Sequence, residues 1–187
     1  SCNAGFADCD GNPANGCEVD TRTDVNHCGA CGRACSTNAC AAGVCDRGGD
    51  GADGTLNVTG TTPLTPAATP LVESVAMGGT LLRVVNTAGF TVGSEALVID
   101  TQGAGAGQHA FARVTGVTPN TLTVTPGMPF AFASTDRVQV VRVLHYRSLS
   151  VAAGATLRGT AWNGSTGGVL PIRVADTASV LGTISQS

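Results

Sequence analysis

The chain has 187 residues, enough for one or two domains, with 26 Gly, 4% aromatic and 12% charged residues. Its ten basic residues are all arginine and never cluster, and the net charge is −3, which excludes the dense cationic patches that nucleic acid selects. No apolar run is long enough to span a membrane and no signal peptide is visible, so a processed or partial product of an exported protein is expected.

All eight cysteines fall within residues 1–46: Cys2, Cys9, Cys17, Cys28, Cys31, Cys35, Cys40 and Cys45. An even, clustered set in a segment whose one aromatic is Phe6 predicts a disulfide module made in an oxidising compartment. Eight cysteines allow about 105 pairings, and spacing alone does not choose among them. Cys28-x2-Cys31-x3-Cys35 beside His27 could be written as a zinc site, but five further cysteines in an exported context favour bridges.

Residues 47–70 read as a linker. Asp46-Arg-Gly-Gly-Asp-Gly-Ala-Asp-Gly54 opens it as a glycine-rich hinge. A Thr/Pro stretch follows, in which Pro63, Pro66 and Pro70 remove backbone donors and exclude a central strand. Thr61, Thr62, Thr65 and Thr69 are its candidate O-glycan acceptors.

Residues 71–147 break into short apolar runs separated by Gly, Pro and Asn, which predicts a β-sandwich or barrel-like module. The clearest strands are 81–85, 96–100, 111–117, 122–125 and 137–143, with Pro119-Asn120 as a hairpin turn. In the last run the alternation slips at Val140-Val141, which predicts a bulge or a strand that crosses between sheets.

Residues 148–187 carry an internal repeat. Leu149-Ser-Val-Ala-Ala-Gly-Ala-Thr-Leu-Arg-Gly-Thr160 aligns without gaps on Ile172-Arg-Val-Ala-Asp-Thr-Ala-Ser-Val-Leu-Gly-Thr183. The spacing from Leu149 to Ile172 is that of one solenoid coil. It predicts the start of a β-helix with Val151 stacked on Val174 and Leu157 on Val180, and with Ala152, Ala155, Ala175 and Ala178 inward or at tight corners. Two coils do not hold themselves together, and no cap is visible after Val180, Leu181 and Ile184. Those three residues are the expected assembly edge, to be covered by another molecule or by more of the same chain. The overall expectation is an all-β fold: a small disulfide-rich module, a β-sandwich or barrel-like module, and a short solenoid.

Two stretches resemble known families. Asp8-Cys-Asp-Gly-Asn-Pro-Ala-Asn-Gly-Cys-Glu18 with Asn26-His-Cys-Gly-Ala-Cys-Gly-Arg-Ala-Cys35 is similar to the stigma-specific-type cysteine-rich repeat, in the version found in secreted and surface proteins of myxobacteria. His27 stands where that repeat usually has Asn. Residues 80–100 with 112–125 resemble a β-module of bacterial surface proteins and fibre-like appendages. Both resemblances imply an extracellular, cell-surface location, and neither supplies catalytic residues.

Asp8, Asp10 and Asn12 alternate oxygen ligands as calcium loops do, and Asp46, Asp50 and Asp53 form a second such set. The first set departs from a full calcium loop, with Pro13 and Val19 where glycine and a bidentate acid belong. The same residues serve as turn formers bonding their own backbone, so calcium is the one cofactor in question. Asn57 and Asn163 begin N-glycan acceptor triplets, and Asp100 with His109 could pair across a hairpin. With three histidines and no nucleophile or phosphate motif, a non-enzymatic protein is expected. The first reading is a homopolymeric subunit of a cell-surface filament or coat. A monomeric adhesin or stalk module is the alternative, and a polysaccharide-acting β-helix enzyme ranks last. Surface polysaccharide is the one further partner considered.

Overall fold

The computed structural model describes residues 2–35, 37, 39–45 and 48–186. The strands in chain order are β1 (Phe6–Ala7), β2 (Val19–Asp20), β3 (Cys40–Ala41), β4 (Val44–Cys45), β5 (Thr55–Val58), β6 (Thr61–Pro63), β7 (Ala68–Pro70), β8 (Leu81–Arg83), β9 (Glu95–Asp100), β10 (His109–Thr118), β11 (Thr121–Thr125), β12 (Val138–Arg142), β13 (Leu144–Val151), β14 (Thr156–Arg158), β15 (Ile172–Val180) and β16 (Thr183–Ser185). Among the described residues helix is confined to one 3₁₀ turn, Ser134–Asp136. The protein is all-β.

The N-terminal module has two small hairpins, β1–β2 and β3–β4, and four bridges: Cys2–Cys17, Cys9–Cys31, Cys28–Cys40 and Cys35–Cys45. Each bridge closes a loop that overlaps the next, so the crosslinks form one continuous chain. The buried apolar residues of this module are Cys28 and Cys35, both at 0% exposure, so sulfur stands in for a hydrophobic core. Loops spanning 10 to 22 residues each restrict the unfolded chain by about 3 kcal/mol.

Strands β7-β12-β9-β10-β11-β8 form a six-stranded antiparallel sheet in that order. Its edges meet. Leu71 bridges Val84, the Val72 amide donates to the Arg83 carbonyl at 2.8 Å, and the Val85 amide donates to the Pro70 carbonyl at 3.2 Å. The sheet is therefore a barrel, which removes exposed strand edges. Alternation along β10 turns Ala110, Ala112 and Val114 inward, and small inward residues such as Ala96 leave room for Phe90, Met128 and Phe132. The Pro119-Asn120 turn joins β10 to β11 as expected, with Thr118 facing Thr121.

Strands β5, β13 and β15 form one parallel sheet and β6, β14 and β16 another. These are three stacked coils of a solenoid. Residues 55–63 make the first, 144–158 the second and 172–185 the third. The whole barrel is inserted between the first coil and the second. Inward rows run Leu56–Leu149–Ala178, Val58–Val151–Val180 and Thr62–Leu157–Ile184. The chain leaves the barrel at Val143 and enters the solenoid directly at β13.

Four expectations change. The segment 47–70 is not a free linker, because β5 and β6 are solenoid strands and β7 is a barrel strand. Its prolines still keep to an edge: Pro63 ends β6, which pairs with β14 alone. The barrel thus begins at Ala68, ahead of the expected boundary at 71, and gives way to the solenoid at Leu144. The stacking offset is longer than the gapless repeat implies. Val151 faces Val180 rather than Val174, and Leu157 faces Ile184 rather than Val180.

The gapless match fails at its first pair, because Ile172 stacks on Leu144 rather than Leu149, and β15 then carries one extra residue opposite the Tyr146–Ser148 step. The corner at 152–155 also has four residues where its successor, Leu181-Gly182, has two. Ala155 is buried as expected at 2%, whereas Ala175 and Ala178 are exposed on the last coil. Finally, β12 runs without a bulge. Val140-Val141 is apolar on both faces because Val140 lines the barrel interior while the outer face is also covered. On that outer side the Gln139 amide, 0% exposed, exchanges two 2.9 Å hydrogen bonds with the Gly167 backbone. The register irregularity of the barrel lies in β10, between Val114 and Gly116.

Candidate functional site

In the cysteine module all eight candidate residues are bridged and no free cysteine remains among the described residues, so the zinc alternative is overturned. His27 acts locally. Its Nδ1 accepts the Gly32 amide at 3.1 Å, closing the Cys28–Cys31 turn. An Asn carbonyl oxygen at that position has the same acceptor chemistry. Nearby, Arg22 covers the Phe6 ring at 4.9 Å and donates to Asp20 at 2.8 Å, and those bonds hold the Asp20 carboxyl at about 2.

The first calcium set is only partly assembled. Asp8 and Asp10 converge with Glu18, whose oxygens lie within 4.8 Å of theirs, while the Asn12 carbonyl turns back to accept the Ala14 amide. All three carboxylates are exposed and accept backbone amides of their own loop, Gly11 to Asp8, Asn12 to Asp10 and Cys9 to Glu18. The Asn15 side chain, together with the Asn12 amide, pulls the Asp10 carboxyl below its usual range. The turn-former reading accounts for each of these contacts.

The second calcium set is not brought together as an open ligand cluster among the described residues. Asp46 lies outside those residues, and Asp50 and Asp53 are engaged by the His145 and Arg142 side chains. Asp50 Oδ1 lies 3.1 Å from His145 Nδ1, and Asp53 Oδ1 accepts from Arg142 Nη2 at 2.6 Å. The glycan candidates divide as well. Thr61 and Thr65 are exposed and Thr62 half-buried, whereas Thr69 is 1% exposed and its hydroxyl accepts the Asn86 amide. Asp100 and His109 do not pair. His109 Nδ1 meets the Gly107 carbonyl and Asp100 folds under the glycine-rich loop, where burial pushes its carboxyl up.

Two features stand out as sites. The first is the open solenoid end. Val58 and Val151 on the first two coils are 1% and 0% exposed, but Val180 in the same row is 46% exposed. Leu157 and Ile184 show the same step, 0% against 46%, and Leu181 at the corner is 74% exposed. The expected edge residues Val180, Leu181 and Ile184 thus lie together on the bare face. Stacking there is sterically exacting. A Cβ on Gly182 would sit 2.3 Å from the Ala155 carbonyl and 2.4 Å from that of Ala152, so the last corner rides directly on the corner of the second coil.

The second is a polar junction that sequence reasoning missed. Glu95 at the start of β9 is 1% exposed and receives both Arg173 Nε at 2.5 Å and Nη2 at 2.8 Å. His145 Nε2 lies 2.9 Å from the same carboxylate. Arg173 is brought there by its register position opposite His145 in the β13–β15 ladder, and it also covers the Phe111 ring at 4.7 Å. The residues come from segments as far apart as Asp50 and Arg173, so no local motif could signal them. A cleft of about 220 Å³ opens over this junction, walled by Asp50, Asp53, Thr91, Ser94 and Arg142.

No protein-family model and no curated protein matches the chain. Among solved structures it is similar to the Gp54 tailspike of Acinetobacter baumannii bacteriophage AP22, determined in complex with A. baumannii capsular saccharide. That match has a TM-score of 0.40 and 10% identity over 68% of this chain and 23% of that one. The tailspike gp49 of Pseudomonas phage LKA1 gives a TM-score of 0.40 and 15% identity, covering 65% and 24%. The Pseudomonas phage phi297 tailspike gp61 gives 0.38 and 14%, covering 65% and 23%. The chain therefore spans about a quarter of the length of these proteins.

Proposed function

We propose that this chain is a non-enzymatic structural module of an extracellular surface protein, which starts a β-solenoid stalk and presents its last coil for a further coil to stack upon. The observation that carries this reading is the step in exposure along the inward rows, from 0% at Val151 and Leu157 to 46% at Val180 and Ile184. An apolar row bared at one coil and buried at the preceding ones is an interrupted stack. Four disulfides suit an oxidising compartment, and among the described residues no helix is long and apolar enough to cross a membrane. The resemblance of residues 1–45 to a secreted cysteine-rich repeat supports the same location.

The absence of a catalytic role is part of the proposal. The cleft over the polar junction has its ionisable groups Asp50, Asp53, Glu95, Arg142 and His145 bonded to one another. Thr61 and Thr65 remain the O-glycan acceptors of this reading.

Between stalk and homopolymer, the asymmetry of the two ends favours the stalk. Head-to-tail stacking of copies needs a first coil as bare as the last, and Val58 is 1% exposed. Hydroxyl-radical footprinting of Val180, Leu181 and Ile184 tests the proposal, with the isolated chain compared to intact native surface material. The three residues are expected to be reactive in the isolated chain and protected in the native material. Equal reactivity in both sinks it. Mass spectrometry of crosslinked native material separates the occupants: contacts to a second copy's β5 and β6 would restore the homopolymer.

A further inference from the structure

The hinge at 48–54 does not hang free. It runs antiparallel beside the start of β13, with Ala52 bridged to Tyr146 and the Asp53 amide donating to the His145 carbonyl at 2.8 Å. Asp53 Oδ2 accepts the His145 amide at 2.7 Å. The hinge backbone lies flush on the imidazole: Gly49, at φ +84°, leaves no room for a Cβ, which would sit 2.7 Å from His145 Nδ1. This hinge is the tether between the disulfide module and the rest of the protein.

His145 Nδ1 has two partners on one hinge residue. Asp50 Oδ1 lies 3.1 Å away and the Asp50 amide nitrogen 3.3 Å away. They require opposite things of the ring. The carboxylate accepts a proton and so needs Nδ1–H, whereas the amide donates one and needs the Nδ1 lone pair. On the other side of the ring, Glu95 Oε2 at 2.9 Å keeps a hydrogen on Nε2 in either state. Nδ1 is therefore the nitrogen whose hydrogen decides which Asp50 contact forms. The other charged groups around the ring are assigned elsewhere. Arg173 on β15 is directed at Glu95, Arg142 on β12 at Asp53, and Arg113 on β10, opposite Glu95 in the ladder, donates to Asn26 of the disulfide module, while Arg147 on β13 lies beside Gly51.

We propose that His145 is a pH-sensitive clasp that locks the hinge onto the junction of barrel and solenoid. With the imidazole charged, Nδ1–H binds the Asp50 carboxylate and the hinge is held by side chain and backbone together. When the proton leaves, the Nδ1 lone pair faces the Asp50 carboxylate. The two repel, and only the longer contact to the Asp50 amide can form. The lock is closed at lower pH and loosens as pH rises through the titration of the ring.

The test is amide hydrogen exchange by NMR on the full chain, together with the imidazole signals of His145, from pH 5 to 8.5. After correction for the intrinsic rate at each pH, protection at Asp53 and Arg147, whose amides bond between hinge and β13, is expected to fall at least fivefold as His145 deprotonates. The two midpoints should coincide, and protection at Val98 and Val114 inside the barrel should not change. Asp50→Asn is the discriminating variant, because an amide can rotate to suit either state of Nδ1. It should fold normally, since Asp50 is partly exposed, and abolish the step. Hinge protection that stays flat while the ring titrates overturns the clasp, as does a ring that does not titrate in this range. Persistence of the step in Asp50→Asn overturns it as well.

Discussion

The barrel and the solenoid solve the same problem in opposite ways. Both are made of short strands of small and β-branched residues, and both must satisfy the backbone groups at their edges. The barrel does so internally, by joining Leu71 to Val84 so that its first and last strands meet. Its inward residues are then uniformly covered, from Leu82 and Leu122 at 0% to Phe132 at 1%. The solenoid closes nothing on itself, and each coil is completed by the next. Its middle coil is as well buried as the barrel, while its last coil is bare at Val180 and Ile184. One part is closed within the chain and the other ends on a bare coil, so equal side chains in the two parts should carry very unequal energies.

The widest contrast is expected from a charge placed at two positions of the alanine set. Ala155 is 2% exposed within the solenoid core, and Ala155→Arg puts an unpaired cation there, at a cost above about 4 kcal/mol. Ala178 ends an inward row but is exposed on the bare last coil, and Ala178→Arg should shift stability of the isolated chain by about 0.5 kcal/mol at most. Denaturant titration of both variants checks this. An equal loss from the two would mean that the last coil is already covered.

Truncations grade the same comparison. Phe132→Ala in the barrel should cost about 3–5 kcal/mol and Leu157→Ala in the middle coil about 2–5. Ile184→Ala, at 46% exposure and in the same row as Leu157, should cost under about 1 kcal/mol. A large loss at Ile184 would contradict an open end. Gly182→Ala acts more locally, since its Cβ would meet the Ala152 and Ala155 carbonyls. The last coil is expected to lift off the second at a cost of about 1–3 kcal/mol, seen as lost amide protection at Thr183 and Leu181, which donate to Ala155 and Val151. Barrel amides should keep theirs.

What the sequence disclosed and what it hid follow from the reach of the interactions. The β9, β10, β11 and β12 strands were legible because each is a local alternation bounded by turn residues, and the Pro119-Asn120 hairpin needs only neighbours. The cysteine set was legible as bridged, though the pairing was not, because loop lengths of 10 to 22 residues leave many closures open. The first coil was hidden by distance: Val58 stacks on Val151 with the entire barrel between them. Its Thr-rich text reads as a linker because a strand that contributes one inward valine shows no run. The word Val58-Thr-Gly-Thr61 against Val180-Leu-Gly-Thr183 was the available clue, since both are two-residue corners in the same ladders. The polar junction had no clue of this kind. Glu95, His145 and Arg173 are unremarkable in their local text, Asp50 reads there as a hinge carboxylate, and the four meet only once coil and barrel have formed.

The smallest effect belongs to the barrel, and it is measurable through pH. Asp100 ends β9 beneath the loop that carries Gly103 and Gly105, at 2% exposure. Burial pushes its carboxyl above the usual range, the Gln102 amide partly offsets that, and the nearby Asp136 adds to it. A carboxyl that holds its proton more tightly when folded contributes stability that is lost as pH rises from its unfolded-state value through its folded one. At neutral pH the charge is therefore a net burden, whereas below about pH 3 the group is neutral in both states. Asp100→Asn keeps the oxygen that accepts the Gln102 amide and discards the charge. The variant is expected to melt about 2 °C higher than the parent at pH 7 and to match it near pH 3. Calorimetry at the two values decides the matter. A variant that melts lower at pH 7 would mean that the carboxylate is stabilised where it lies, and that the closed barrel tolerates a buried charge at its rim.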